Sequence, residues 1–146
     1  MNKTHKTMLK IKLLLLLLLS VIFGYSQNAD DIIGKYHLPN KLDVEIYKVA
    51  NNKYNGKIIG LNGFENGQTT DINNDDDALK NKPLLGMEII TGLRYDKDTK
   101  EWIDGTMYGP EKGMYFNLKI TEIRKDEIEV VGSKFLFWHT LTWKKI

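Results

Sequence analysis

Short runs of alternating polarity, separated by turns about every eight to twelve residues, are the feature that most limits what this chain folds into. Leu42, Val44 and Ile46 alternate with Asp43, Glu45 and Tyr47, a period of two with one buried face. Asn51-Asn52-Lys53 turns the chain into a return strand from Tyr54 to Leu61. Leu84 to Leu93 reads as the next strand, with Leu85, Met87, Ile89 and Leu93 on one side. Lys97 to Lys100 is a polar turn before Trp102 to Tyr108. Pro110-Glu111-Lys112-Gly113 turns into Met114 to Ile123, which alternates through Phe116, Leu118 and Ile120. Glu127 to Val131 and Phe135 to Trp143 follow, and a short opening strand at Gly34 to His37 makes eight. No window sustains the 3.6-residue period of a helix, and only one helical turn is predicted, at Asp77 to Asn81 before Pro83. The fold class is therefore all-β. Eight such strands most simply close into an antiparallel up-and-down barrel, because closure removes exposed edges. A two-sheet sandwich is the alternative.

The chain before these strands reads as a cleavable signal peptide over residues 1–26. Lys3, Lys6, Lys10 and Lys12 precede an apolar run from Leu13 to Phe23, and Gly24-Tyr25-Ser26 offers a cleavage site before Gln27. The run is too short for a permanent membrane span, which needs about 20 residues. Residues 27–146 then form one domain. Removing the leader leaves 17 Lys+Arg against 19 Asp+Glu, a net charge of −2 instead of +2. A slightly acidic domain has no electrostatic case for nucleic acid. The expected address is the periplasm or the medium, and the expected state a monomer. The absence of cysteine excludes disulfide frameworks, thiolate metal sites and cysteine nucleophiles.

Chemistry-bearing patterns are sparse. Asp71, Asn73 and Asp75 have the spacing of the first calcium ligands of an EF-hand, but Asp76 stands where glycine is needed and Lys82 where glutamate is. An irregular calcium site at Asp75, Asp76 or Asp77 stays open beside the plainer reading, in which Asp77 caps the helical turn. No nucleophile elbow surrounds Ser133, no phosphate loop or dinucleotide fingerprint appears, and no cofactor is expected; the enzyme question leans towards no. His139 alternates with Phe137, Leu141 and Trp143. It is either a core histidine satisfied by a backbone carbonyl or one wall of a ligand pocket. The aromatic residues, Trp138 among them, are spread over most strands and suit a barrel interior. That interior is either packed solid or open at one end and lined by Met87, Met107, Phe137 and His139.

Certain residues carry a resemblance. Ile33-Gly34-Lys35-Tyr36, the run from Asn74 to Gly86, Thr91-Gly92-Leu93, Tyr108-Gly109-Pro110-Glu111, Gly132 and Thr142-Trp143-Lys144 resemble the bacterial domain of unknown function 2147 family. The resemblance implies an exported, lipocalin- or calycin-like barrel, and it implies no activity. By the same analogy, Tyr36 and Trp143-Lys144 would close one end, an aromatic ring covered by a cation. The chain departs from the family at Lys80 and Lys82, often arginine there, and Lys lacks the bidentate fork of Arg. It departs again at Gly109, Val131 and Trp138 to Leu141. Two functions follow as expectations. One is non-catalytic binding of a small apolar ligand inside the barrel. The other is an envelope protein that contacts a protein or anionic polymer through residues 62–82, with Asp77, Lys80, Asn81 and Lys82 at the contact.

Overall fold

The computed structural model describes residues 27–146 and, before them, Met8, Lys10 and Lys12. The signal-peptide expectation lies otherwise outside the described residues. Among those described, no helix is long and apolar enough to cross a membrane.

The eight strands are β1 (Gly34–His37), β2 (Asp43–Val49), β3 (Lys53–Gly60), β4 (Glu88–Asp96), β5 (Glu101–Gly109), β6 (Met114–Ile123), β7 (Glu127–Lys134) and β8 (Phe137–Lys145). Each pairs antiparallel with the next, and β1 pairs back to β8 through Tyr36↔Lys145 and His37↔Lys144, so the sheet is a closed barrel. The sandwich alternative is thereby set aside. Alternation does the work: Val44 and Ile46 on β2, Leu118 and Ile120 on β6, and Ile128 and Val130 on β7 are buried between partly exposed neighbours.

Two strands begin later than the alternation predicts. The expected strand from Leu84 begins only at Glu88, and Leu84, not Leu85, is buried. Ile89 and Ile90 are both buried, which a period of two forbids. The cause is a local irregularity: Gly92 has φ +77°, a conformation glycine adopts without steric cost, and the β3–β4 register shifts beside it. At the other end of the sheet, Phe135 and Leu136 form the β7–β8 turn and do not open β8.

One end of the barrel is closed by a 3-10 turn at Ala29–Ile32. Ile32 is fully buried, and Tyr36 donates to its carbonyl at 2.8 Å. Trp102 Nε1 donates to the Ala29 carbonyl at 2.9 Å, and Tyr54 donates to Asp30 at 2.6 Å. The expected stack of a cation on Tyr36 or Trp143 is replaced by this plug. Both rings are buried in the core, while Lys144 pairs with Glu127 and Lys145 donates to the Arg124 carbonyl.

These buried phenols give the fold an alkaline limit. Burial pushes the Tyr36 hydroxyl from 10.0 up to about 12. Burial, then the bond to Glu88, takes Tyr47 up to about 12 as well. Tyr54 and Tyr108 are raised by burial and then by Asp30 and Asp71. A phenol raised in the fold keeps its proton after the unfolded chain has lost its own. The stability it contributes is whole below pH 10 and disappears as pH rises towards and beyond 12. Denaturant midpoints are expected to fall across that window, and less steeply for Tyr36→Phe. A flat profile there would contradict this account.

Candidate functional site

At the end opposite the plug, interior positions become progressively less covered. Along β8 the inward residues run from buried Trp143 to exposed Leu141 and His139. Along β6 they run from buried Ile120 and Leu118 to half-buried Phe116. On β7 the sequence Ile128, Val130, Gly132 ends in a glycine facing Leu118 and His139 across the register. A Cβ added at Gly132 would meet nothing within 4 Å. The result is a cavity of about 320 Å³, walled by Leu38, Met107, Phe116, Leu118, Val130, Leu141 and Trp143. A wider depression of about 490 Å³ lies on the outer wall, lined by Thr106, Asn117, Lys119 and Ser133, outward-facing positions of β5 to β7.

Polar groups gather at the mouth of the inner cavity: Asn40, Glu111, Lys112 and His139. Glu111 is the informative one. Its Oε2 is buried and has no hydrogen-bond partner, the only side-chain oxygen or nitrogen so placed among the described residues. A buried carboxylate oxygen without a donor is costly and marks where a donor belongs.

Glu111 is held by the long segment between β3 and β4. Asn73 Nδ2 donates to the Pro110 carbonyl at 3.0 Å and to the Glu111 carbonyl at 3.2 Å. Behind it Asp71, only 1% exposed, accepts from the Tyr108 hydroxyl at 2.8 Å and from Asn74 at 2.7 Å. Tyr108 is thus buried on the outside of the wall, beneath the segment, and not in the barrel interior where the aromatic set was expected. Of the carboxylates considered for calcium, Asp71, Asp76 and Asp77 have other partners here. Asp76, not Asp77, caps the turn at Asp77–Leu79 by accepting from the Ala78 amide, because Asp76 is the residue preceding the turn. Asp77 pairs with Lys80 at 2.5 Å, which holds its carboxyl below the ordinary 3.8. Among the described residues there is no group of three or more His, Cys, Asp or Glu arranged to hold a metal ion.

Of the four residues expected to line a pocket, Met107 and His139 do so. His139 is at the mouth, exposed, and among the described residues has no hydrogen bond to a backbone carbonyl, so the core-histidine reading does not hold. Phe137 shares its strand face but is 76% exposed, because the hairpin carries it past the rim. Met87 is half-buried against the core and is not part of the cavity wall, because it precedes β4. Glu111 and Gly132 stand in the sequence only as residues of the family resemblance, with no pocket role expected of them. A lone glycine inside an alternating apolar strand was the available signal for Gly132.

A closed antiparallel barrel, plugged at one end by an N-terminal turn and hollow at the other, defines a lipocalin-like protein. The chain belongs to the bacterial DUF2147 family, described as an uncharacterized protein conserved in bacteria, which matches residues 34–145. Its fold is similar to that of protein HP1028 from the human pathogen Helicobacter pylori, which belongs to the lipocalin family. The TM-score is 0.68 at 18% identity, over 80% of this chain and 83% of that one. No curated protein matches the chain.

Proposed function

We propose that this barrel carries a small, largely apolar molecule in its open-ended cavity, outside the cytoplasm, in the periplasm or the medium. The supporting observation is the cavity itself. Its wall is apolar and preformed, and its one buried, unpartnered oxygen belongs to Glu111. A 150 Å³ cavity takes benzene, so 320 Å³ suits a ligand of about a dozen heavy atoms, an alkyl chain or a fused bicycle. The carboxylate of Glu111 in the cavity lining favours a ligand end that donates a hydrogen bond, a hydroxyl or an ammonium group. Burial of the apolar part supplies affinity and the carboxylate fixes orientation.

Gly132→Leu tests this. The new side chain has room, its backbone φ is ordinary, and it fills the cavity from the β7 wall. Binding of decanol and decylamine, followed by native mass spectrometry and calorimetry, is expected to fall at least about tenfold while thermal stability holds or rises. Decanoate is expected to bind the parent less well than decylamine. Undiminished binding in Gly132→Leu would remove the cavity as the site. The envelope-contact reading has its own support in Asn81 and Lys82, both exposed, although Lys80 is already paired with Asp77. It gains if partners captured from envelope extracts are lost on changing Lys82 and kept in Gly132→Leu.

A further inference from the structure

The hairpin between β7 and β8 ends in four consecutive large apolar residues held in water. Phe135 is 90% exposed, Leu136 86%, Phe137 76% and Trp138 71%. Lys134 pairs with Phe137, so Phe135 and Leu136 are a two-residue turn. Such turns favour glycine, asparagine or aspartate, because they place residues at positive φ. Here Phe135 occupies that position at φ +54°. A bulky aromatic residue in the left-handed region strains the backbone, and the exposed run invites aggregation. The tip is thus poor for folding and poor for solubility, and no other part of the barrel covers it.

One cation accompanies it. Lys134 Nζ lies 6.0 Å from the Phe135 ring centroid and 5.8 Å from that of Phe116. Among the described residues it forms no ion pair with a carboxylate. A depression of about 260 Å³ adjoins the base of the hairpin, lined by Thr106, Tyr115, Asn117, Ser133 and Lys134, but Leu136, Phe137 and Trp138 lie beyond it. A bilayer surface needs no complementary groove. It accepts Trp, Phe and Leu at the boundary of headgroups and acyl chains, with lysine on the phosphates of anionic lipid.

We propose that Phe135, Leu136, Phe137 and Trp138 form a finger that docks the barrel on the surface of an anionic lipid bilayer, with Lys134 at the headgroups. Docking does not depend on the cavity being filled. It sets the cavity mouth near the lipid, since His139 and Leu141 continue the same strand into the wall.

The double variant Phe135→Gly/Leu136→Asn separates this role from folding. Glycine relieves the positive φ and asparagine suits the turn, so the variant is expected to unfold at higher denaturant than the parent. The test uses the soluble form the cell yields from the full chain, its mass establishing whether residues 1–26 are present. Vesicles of phosphatidylglycerol and phosphatidylethanolamine are compared with pure phosphatidylcholine. Trp102 and Trp143 are buried, so a blue shift in tryptophan emission reports Trp138. The parent is expected to shift on anionic vesicles, to be quenched by bromine-labelled lipid, and to co-sediment at least about tenfold more than the double variant. Equal sedimentation of parent and variant would overturn the proposal. So would absence of binding to any vesicle, or a concentration-dependent dimer lost in the variant in place of vesicle binding.

Discussion

Trp102→Ala is expected to destabilise the barrel by about 3–5 kcal/mol, the range for truncating a buried tryptophan. Trp102 is fully buried on β5, beside the plug. Its ring lies 4.9 Å from that of Tyr95, tilted by 49°, and its indole nitrogen holds the Ala29 carbonyl. Alanine removes the ring's buried area, opens a void the strands cannot collapse into, and orphans that carbonyl. The plug should loosen with it, because the Gln27 carbonyl is held by Tyr95 and Asp30 by Tyr54. Trp102→Phe keeps most of the volume and loses chiefly the hydrogen bond, for which about 0.5–1.5 kcal/mol is expected beside a modest packing loss. Urea titration of the three proteins measures the ordering. Equal midpoints for parent and Trp102→Ala would mean that the closed end contributes little to the fold.

Gly113→Ala is expected to cost about 3 kcal/mol or more, from a single added carbon. Gly113 has φ +63°, and its Cβ would lie 1.8 Å from the Asn73 carbonyl oxygen. That neighbour is backbone, so no rotamer relieves the clash. The β3–β4 segment must lift away, losing the Asn73 bonds to Pro110 and Glu111 and loosening Asp71 against Tyr108. Asn73→Ala removes only the side-chain bonds and should cost about 1 kcal/mol, so the two variants separate the steric effect from the hydrogen bonds. Hydrogen exchange at Asp71, Leu79 and Leu84, whose amides are bonded within the segment, should quicken more in Gly113→Ala. Protection equal to that of the parent would show that the segment does not depend on this close approach. The same lift would free Glu111, so the cavity lining and fold stability are coupled through one glycine.

These couplings separate what was legible in the chain from what was not. The eight strands were legible because a half-buried strand must repeat every two residues, as β2, β6 and β7 do. Leu84 to Leu93 failed because the positive φ of Gly92 and the shifted β3–β4 register put two consecutive isoleucines inside. Met107 reaches the cavity only through the register shift between Trp102 and Gly105, whereas His139 was legible as a pocket residue from its strand parity. Phe137 has the same parity and is excluded by its distance along the strand, which alternation does not encode. Asp76 and Asp77 are adjacent acids, and only the backbone at the start of the turn decides which one caps it.

The sequence by itself determined the class of fold and the family, since patterning and turn chemistry are local properties written along the chain. Tertiary structure alone decided which end of the barrel is plugged, that Tyr108 is buried outside the wall, and that Glu111 joins the cavity lining with its Oε2 buried and unpartnered. Each of these rests on contacts between residues far apart in the chain, such as Ala29 with Trp102 or Asn73 with Glu111, and a period of two carries no record of them.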